Sequence, residues 1–576
     1  MPVGLPPRGG PLGRSRSRLS ASSLTTFLRC QRQWLMVYQG GLQGPTRPSQ
    51  LLGVLLEDAV CHLLMMHPPN VSSLESLETW AEQQIGPLVD DVLETGRSQW
   101  EDVLWKSDDD AWESVTSDTV RARLQGALSL FLHEVQDCYR QGGGPHLEAR
   151  RRGDNPFSVR EPSLSSTPQF PLPDKIPDVQ MRRWQVEQRP TWQTVGCPIE
   201  WNEAWECARP WFKDPRVHQP QRLYHPEGWA SGELDVVLRW DGRIRLVDIK
   251  SGSPSSVFAA SLEHQLRFYA WLWHETHDGQ TASGMEGWYL ESAERVTFDA
   301  PSSDDIEGLS RLYMDVHRSM QAMAPDANVF PVSPTEACEG TAAGCGWCAV
   351  SSENDEVWHT PPQFSWLQSL AKLTPSAPYG PLGDLMGRVA VKGRLTGLWG
   401  PFPNHFGELV HGAMLVVGQQ HIAVEESEPG AFPTLHDWAE QEISLQEALP
   451  GVWRDQARLY VDERSTIEPL SESSTDDVGH TRLGLLRTRG NVRGYVLSIQ
   501  RRDGVRLDGK PWTMLSFMLW DGTHVAEVVA FGGSIQQRLL DLRPGDALGL
   551  IGAELGWRSG VLQLRIDSRK TRLEFA

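Results

Sequence analysis

Two short stretches of this chain place acids and an amine where they suit the hydrolysis of a phosphodiester bond. Gly232-Glu233-Leu234-Asp235 supplies a carboxylate ahead of the β-rich run Val236-Val237-Leu238-Arg239-Trp240. Asp241-Gly242 favours a tight hairpin turn, and Ile244-Arg245-Leu246-Val247 leads into Asp248-Ile249-Lys250-Ser251-Gly252. Folding that hairpin brings Asp235 beside Asp248. Two hard carboxylate oxygens at the end of a sheet suit Mg²⁺ or Mn²⁺, which polarise a phosphate and lower the pKa of a bound water. Lys250, two residues after Asp248, shares its strand face and can aim an ammonium at that water or at the phosphate, while Ile249 points into the core.

A third stretch, Gln265-Leu266-Arg267-Phe268-Tyr269, follows on a helix. Gly-x-x-Asp, Asp-x-Lys-Ser/Thr-Gly and Gln-x-x-x-Tyr in this order resemble the PD-(D/E)XK nucleases of the RecB and AddB type, and are similar to the CRISPR adaptation nucleases. Asp-x-Lys alone would read as an exposed hairpin ion pair of little energetic weight; three elements in order favour the nuclease. The resemblance implies an α/β core, a mixed sheet flanked by helices with a helical insertion. It implies that Asp235 and Asp248 hold the metal, that Lys250 orients the attacking water, and that Gln265 and Tyr269 line the substrate path. It extends to 19–34, where Ser20 or Ser22 would cap the helix that carries Cys30. In Gly53-Val54-Leu55-Leu56-Glu57-Asp58 the RecB type has a metal-binding His four residues after the glycine; here Glu57 stands there. A carboxylate can do the same ligand work, and the competing reading is a solvated glutamate on an amphipathic helix.

Of eight cysteines, Cys338, Cys345 and Cys348 cluster, a spacing that points to a metal or a redox pair. In RecB and AddB relatives that carry a four-iron four-sulfur (4Fe-4S) cluster, one Cys lies in the opening helix and three follow the core. The resemblance therefore implies Cys30, Cys338, Cys345 and Cys348 as ligands. The usual closing pattern puts a further Cys where Asn354 stands, so Cys338 must stand in. A Zn²⁺ site on the same thiolates, or a vestigial site that binds nothing, remains open.

The composition is that of a multidomain protein, with 576 residues suggesting roughly four domains. No apolar run approaches transmembrane length and no hydrophobic signal core follows the start, so a soluble cytoplasmic protein without membrane contacts is expected. Residues 1–18 hold Arg8, Arg14, Arg16 and Arg18 without an acid and read as a disordered basic lead-in. The net charge of −20 is unevenly spread: residues 481–576 contain fifteen Lys and Arg against nine Asp and Glu, or +6, leaving −26 for the remainder. A basic C-terminus can track a phosphate backbone while the acidic remainder discourages indiscriminate binding.

That C-terminus reads as strands at 492–499, 513–519, 524–531, 547–552 and 562–566, with a short helix at 535–540 after the third. Five strands with a helix there is the layout of an OB fold. Arg493, Tyr495, Phe517 and Phe531 are its candidate nucleic-acid contacts, although aromatics in a small barrel are more often core. A weaker echo at 388–395 and 457–462 suggests a second OB-like barrel over 380–468, joined by a linker at 469–481 to the barrel of 482–576. Upstream, the nuclease domain spans 19–360, with a helical insertion at about 60–140 that includes an amphipathic run over 111–140. The tryptophans at 184, 192, 201, 205 and 211 read as packing, or else as a base-stacking wall.

No Gly-x-x-x-x-Gly-Lys-Ser/Thr loop is present, so a separate helicase or recombination partner must open any long duplex. The expectation is a metal-dependent DNA nuclease acting on single strands or ends, in repair, recombination or defence. The alternatives are an inactive nucleic-acid-binding scaffold and an RNA-processing nuclease.

Overall fold

In a computed structural model the described residues are 19–34, 37–38, 45–106, 111–151, 196–210, 222–226, 229–252, 254, 259–322, 376–403, 409–426, 435–453, 456–462, 465–470, 479–505, 509–522, 524–558 and 561–575. The helices α1 (Ala21–Arg29), α2 (Gln31–Trp34), α3 (Pro48–Met65), α4 (Leu74–Glu101), α5 (Ser117–Arg140), α6 (Leu147–Arg151) and α7 (Trp201–Ala208) come first. Strands β1 (Arg222–Tyr224), β2 (Ser231–Glu233), β3 (Val236–Leu238) and β4 (Arg245–Lys250) follow, then α8 (Ala259–Thr276), β5 (Gly284–Tyr289), β6 (Glu294–Phe298) and α9 (Ser303–Ala322).

Side chains that satisfy the first free amides set the helix starts. Ser20 accepts the Ser23 N–H at 3.3 Å to open α1, Ser73 accepts the Ser76 N–H at 3.2 Å to open α4, and Thr116 accepts the Thr119 N–H at 3.2 Å to open α5. The amphipathic run expected from residue 111 therefore becomes helix only at Ser117; Trp112–Ser114 form a separate short 3-10 turn ahead of the Thr116 cap.

β3, β4, β5 and β6 form a four-stranded mixed sheet in that order, antiparallel at β3–β4 and β5–β6 and parallel at β4–β5. Alternation along the strands divides the side chains between two apolar layers. Val236, Leu238, Val247 and Trp288 pack with α3, α4, α5 and α7, while Val237, Leu246 and Met285 pack with α1, α8 and α9. Helices 74–140 are thus one flank of the sheet. Trp205 lies wholly inside this flank and Trp201 stacks on Tyr139 at 3.8 Å, so both are packing residues; Trp184, Trp192 and Trp211 lie outside the described residues.

Further on, β7 (Val389–Pro403), β8 (Leu409–Val417), β9 (Gln420–Glu426), β10 (Glu442–Trp453), β11 (Gln456–Val461) and β12 (Thr466–Pro469) make one six-stranded sheet. A second comprises β13 (Arg489–Val505), β14 (Pro511–Trp520), β15 (Val525–Phe531), β16 (Ala547–Arg558), β17 (Val561–Ile566) and β18 (Arg572–Phe575), with α10 (Gln537–Leu540) after β15. The pairing pattern is the same in both. First pairs second, second pairs third, third pairs fifth in parallel, fifth pairs fourth, and fourth returns to first. The sixth strand adds to the fourth in each. The weak sequence echo is therefore a repeated topology. Among the described residues no helix is long and apolar enough to cross a membrane.

Candidate active site

Register brings the acids together. Val236 pairs with Val247, so Asp235, one residue before, and Asp248, one residue after, face each other across β3 and β4. The Ile249 N–H donates to Asp235 Oδ2 at 3.0 Å, which fixes that carboxylate against the neighbouring strand. Asp248 is only 4% exposed, and Lys250, on its strand face, places Nζ 2.6 Å from Asp248 Oδ2. Lys250 Nζ also donates to Gln265 Oε1 at 3.2 Å, so α8 holds the amine from the other side.

One helical turn beyond Gln265, Tyr269 packs over Gly232: a Cβ at that glycine would lie 3.1 Å from the ring and 3.0 Å from Leu272. This close approach explains why glycine opens Gly232-x-x-Asp235. From α3, Glu57 lines the same cleft of about 690 Å³, as do Asp235, Asp248, Lys250, Gln265 and Tyr269. The structure thus gathers in one cleft the six side chains that the sequence singled out there.

Charge crowding shapes the site. Asp235 is held well above the ordinary carboxylate range, by burial first and then by the negative charges of Asp248 and Glu57; the Ile249 N–H and Lys250 offset only part of this. Burial draws the Lys250 ammonium down, but Asp248 and Asp235 outweigh it and leave the amine above its usual value, charged at neutral pH. Tyr269 is pushed well up by burial and by the surrounding carboxylates, so its phenol keeps its proton.

Among the described residues no group of three or more His, Cys, Asp or Glu side chains is already arranged as a metal cage. The donors nonetheless suit a hard divalent ion in kind. Asp248 Oδ2 is buried and takes no aligned hydrogen bond, with the Lys250 ammonium near it, and three further carboxylates, Glu57, Glu233 and Asp235, border the same space. Sequence reasoning passed over Glu233, Ser20, Ser22 and Ser251, which also line the cleft. Glu233 was legible as the residue two before Asp235, on the same side of an extended chain.

Cys30 closes α1, is 7% exposed, and its Sγ accepts the Gln33 N–H at 3.3 Å. Cys338, Cys345 and Cys348 lie outside the described residues. In the second C-terminal sheet, Arg493 is exposed and Tyr495 half-buried, and Phe531 is 40% exposed. Phe517 is corrected: it is 2% exposed inside the sheet's apolar core and presents no face to a base.

Residues 179–352 match the PD-(D/E)XK nuclease superfamily, a segment that contains Asp235, Asp248, Lys250, Gln265 and Tyr269 but not Glu57 or Cys30. No curated protein matches the chain. Similar solved structures include a replication protein A heterotrimer bound to single-stranded DNA (13% identity, 35% of this chain and 51% of that chain, TM-score 0.14). Others are a murine DNA-binding protein bound with double-stranded DNA (12%, 32% and 95%, TM-score 0.13) and an OB domain from Thermoplasma acidophilum (21%, 17% and 83%, TM-score 0.13). The chain spans about half the length of the replication protein chain.

Proposed function

We propose that this chain, which carries a segment of the PD-(D/E)XK nuclease superfamily, is a metal-dependent nuclease that hydrolyses DNA, on single strands or at ends. The observation that carries the reading is the Asp235–Asp248 pair on adjacent strands with the Lys250 amine 2.6 Å from Asp248, open to a cleft inside the matched segment. Asp235, Asp248 and Glu57 would hold Mg²⁺ or Mn²⁺. Such an ion, when bound, polarises the scissile phosphate and makes water a better nucleophile at neutral pH.

The protein's own groups do the rest. Lys250, kept charged by Asp248 and steadied by Gln265, offers a fixed positive charge to the attacking water or to the charge that builds on the phosphate. Tyr269, kept protonated, offers an O–H donor along the substrate path. The repeated C-terminal topology is read as two OB-type barrels, 380–468 and 482–576 joined by the linker 469–481, that follow a nuclease domain at 19–360 and hold the strand near Arg493, Tyr495 and Phe531. A 4Fe-4S cluster on Cys30, Cys338, Cys345 and Cys348 belongs to the same reading, with Zn²⁺ the alternative; a buried Sγ that accepts a backbone N–H suits a thiolate ligand. Anaerobic purification tests it, since a colourless protein without iron removes the cluster.

The test of the cleft is digestion of end-labelled DNA in Mg²⁺ or Mn²⁺ by the wild type and by Asp248→Ala and Lys250→Ala. Both variants should lose cutting while binding single strands nearly as before. Undiminished cutting in either removes the assignment. Matched RNA strands distinguish an RNA-processing enzyme, and binding without cutting by the wild type would leave a scaffold.

A further inference from the structure

α4 ends at Glu101, and the chain then turns through Asp102 to Lys106 in two directions at once. Toward the C-terminus of the protein, Leu104 and Trp105 pack against the apolar core of the second six-stranded sheet. Arg501, on β13, donates to Asp102 Oδ1 at 2.8 Å. An exposed ion pair of this kind contributes little, whereas the half-buried Leu104 and Trp105 remove apolar surface from water, so these two side chains dominate the contact.

Toward the cleft, the carbonyl of Trp105 accepts the Thr46 N–H at 3.0 Å, and Thr46 pairs with Lys106 in a parallel bridge. Two residues after Thr46, Pro48 begins α3. Gln50, Gly53, Val54 and Glu57 on its first turns line the cleft. One short loop therefore ties the basic C-terminal sheet to the helix that brings Glu57 to the site.

We infer that Leu104 and Trp105 dock the C-terminal sheet at the cleft, so that the preferred substrates are single strands long enough to occupy the sheet and the cleft together. This rests on the nuclease reading of the cleft. A strand held on the sheet meets the cleft at a raised effective concentration, and linked sites of this kind gain about 10²–10⁴ in apparent affinity without new contacts. Trp105 is a positioning residue: it touches neither the acids nor Lys250, and acts by fixing where the sheet stands.

The experiment compares labelled single DNA strands of about 8 and about 40 nucleotides, the shorter within one barrel's footprint, cut in Mn²⁺ by the full-length wild type, Trp105→Ala, Trp105→Phe and Leu104→Ala. The wild type should show a KM on the long strand lower by about 10²-fold. Trp105→Ala and Leu104→Ala should erase most of that difference, with kcat on the short strand within about twofold of wild type, and Trp105→Phe should restore it. A length advantage that survives both alanine variants overturns the inference, as does a wild type that lacks the advantage. Loss of short-strand cutting in both alanine variants also overturns it, because the contact then serves the fold. If the wild type cuts neither strand, the nuclease reading fails instead.

Discussion

Asp235→Asn should make the metal-free protein more stable locally and the metal-loaded protein less so. The wild-type carboxylate sits opposite Asp248, and directly opposed side chains of an antiparallel pair stand about 5 Å apart. Two like charges at that separation, partly screened, cost about 3 kcal/mol. Attraction to Lys250 offsets part of this, leaving a net relief of about 1–2 kcal/mol when Asp235 is neutralised. Asparagine keeps an oxygen for the Ile249 N–H, so the strand contact survives. The sign against pH is fixed by the same facts. The folded-state pKa of Asp235 lies above its ordinary value of 3.8, so its ionisation costs stability that grows as pH rises from there to the folded pKa, and stays in full above it. A bound divalent ion reverses the preference, stabilising the wild type by about 2.7 kcal/mol at a hundredfold excess over Kd. Hydrogen exchange of the β3 and β4 amides in EDTA and in Mn²⁺ reads both states. In EDTA the variant should exchange about 5–30-fold more slowly than wild type, and Mn²⁺ should slow the wild type alone. Faster exchange of the variant in EDTA, or equal slowing of both by Mn²⁺, would refute the reasoning.

Lys250→Met should lower the cutting rate by about 10²–10³-fold, in the range seen when one preorganised transition-state donor is lost, with strand binding within about twofold of wild type; filter binding beside single-turnover cleavage checks it. Gly126→Ala should destabilise the helical flank by about 1–3 kcal/mol, because its Cβ would lie 2.0 Å from the carbonyl oxygen of Leu290, and exchange along α5 reads it. His277 is buried against Trp273 and its pKa is pulled down to about 3, by burial first, so the fold favours neutral imidazole. That contribution is whole above pH 6.5 and is lost as pH falls toward 3, amounting to about 2–3 kcal/mol by pH 4.5. His277→Gln should flatten this loss at the end of α8; an unchanged pH slope would count against it.

The hairpin at 235–248 was legible because a period of two fixes which side chains meet once a turn is placed, and Asp241-Gly242 placed it. The second C-terminal sheet was legible for the same reason, since its strands are apolar runs cut by turn residues. The first sheet was less so. β10 carries Pro450 and Gly451 and shifts register between Leu445 and Ala448, with Glu447 at φ 55°, so its alternation breaks mid-strand. β8 holds Gly412 where the Trp399 ring lies against the backbone, a requirement that only the folded neighbour reveals. Phe517 misled because aromatic identity does not say which face of a strand is wet. Glu57 came from the resemblance and not from any local pattern, and only the packing of α3 brings it to the cleft. The coupling through Leu104 and Trp105 had no sequence signal, since it joins residues about four hundred positions apart.

The most direct measurement is digestion of a labelled single DNA strand by the full-length chain in Mn²⁺, in Mg²⁺ and in EDTA, beside Asp248→Asn. Cutting with either ion, none in EDTA and none by the variant is the expected result. Undiminished cutting by Asp248→Asn, or an intact strand under every condition, would contradict the account.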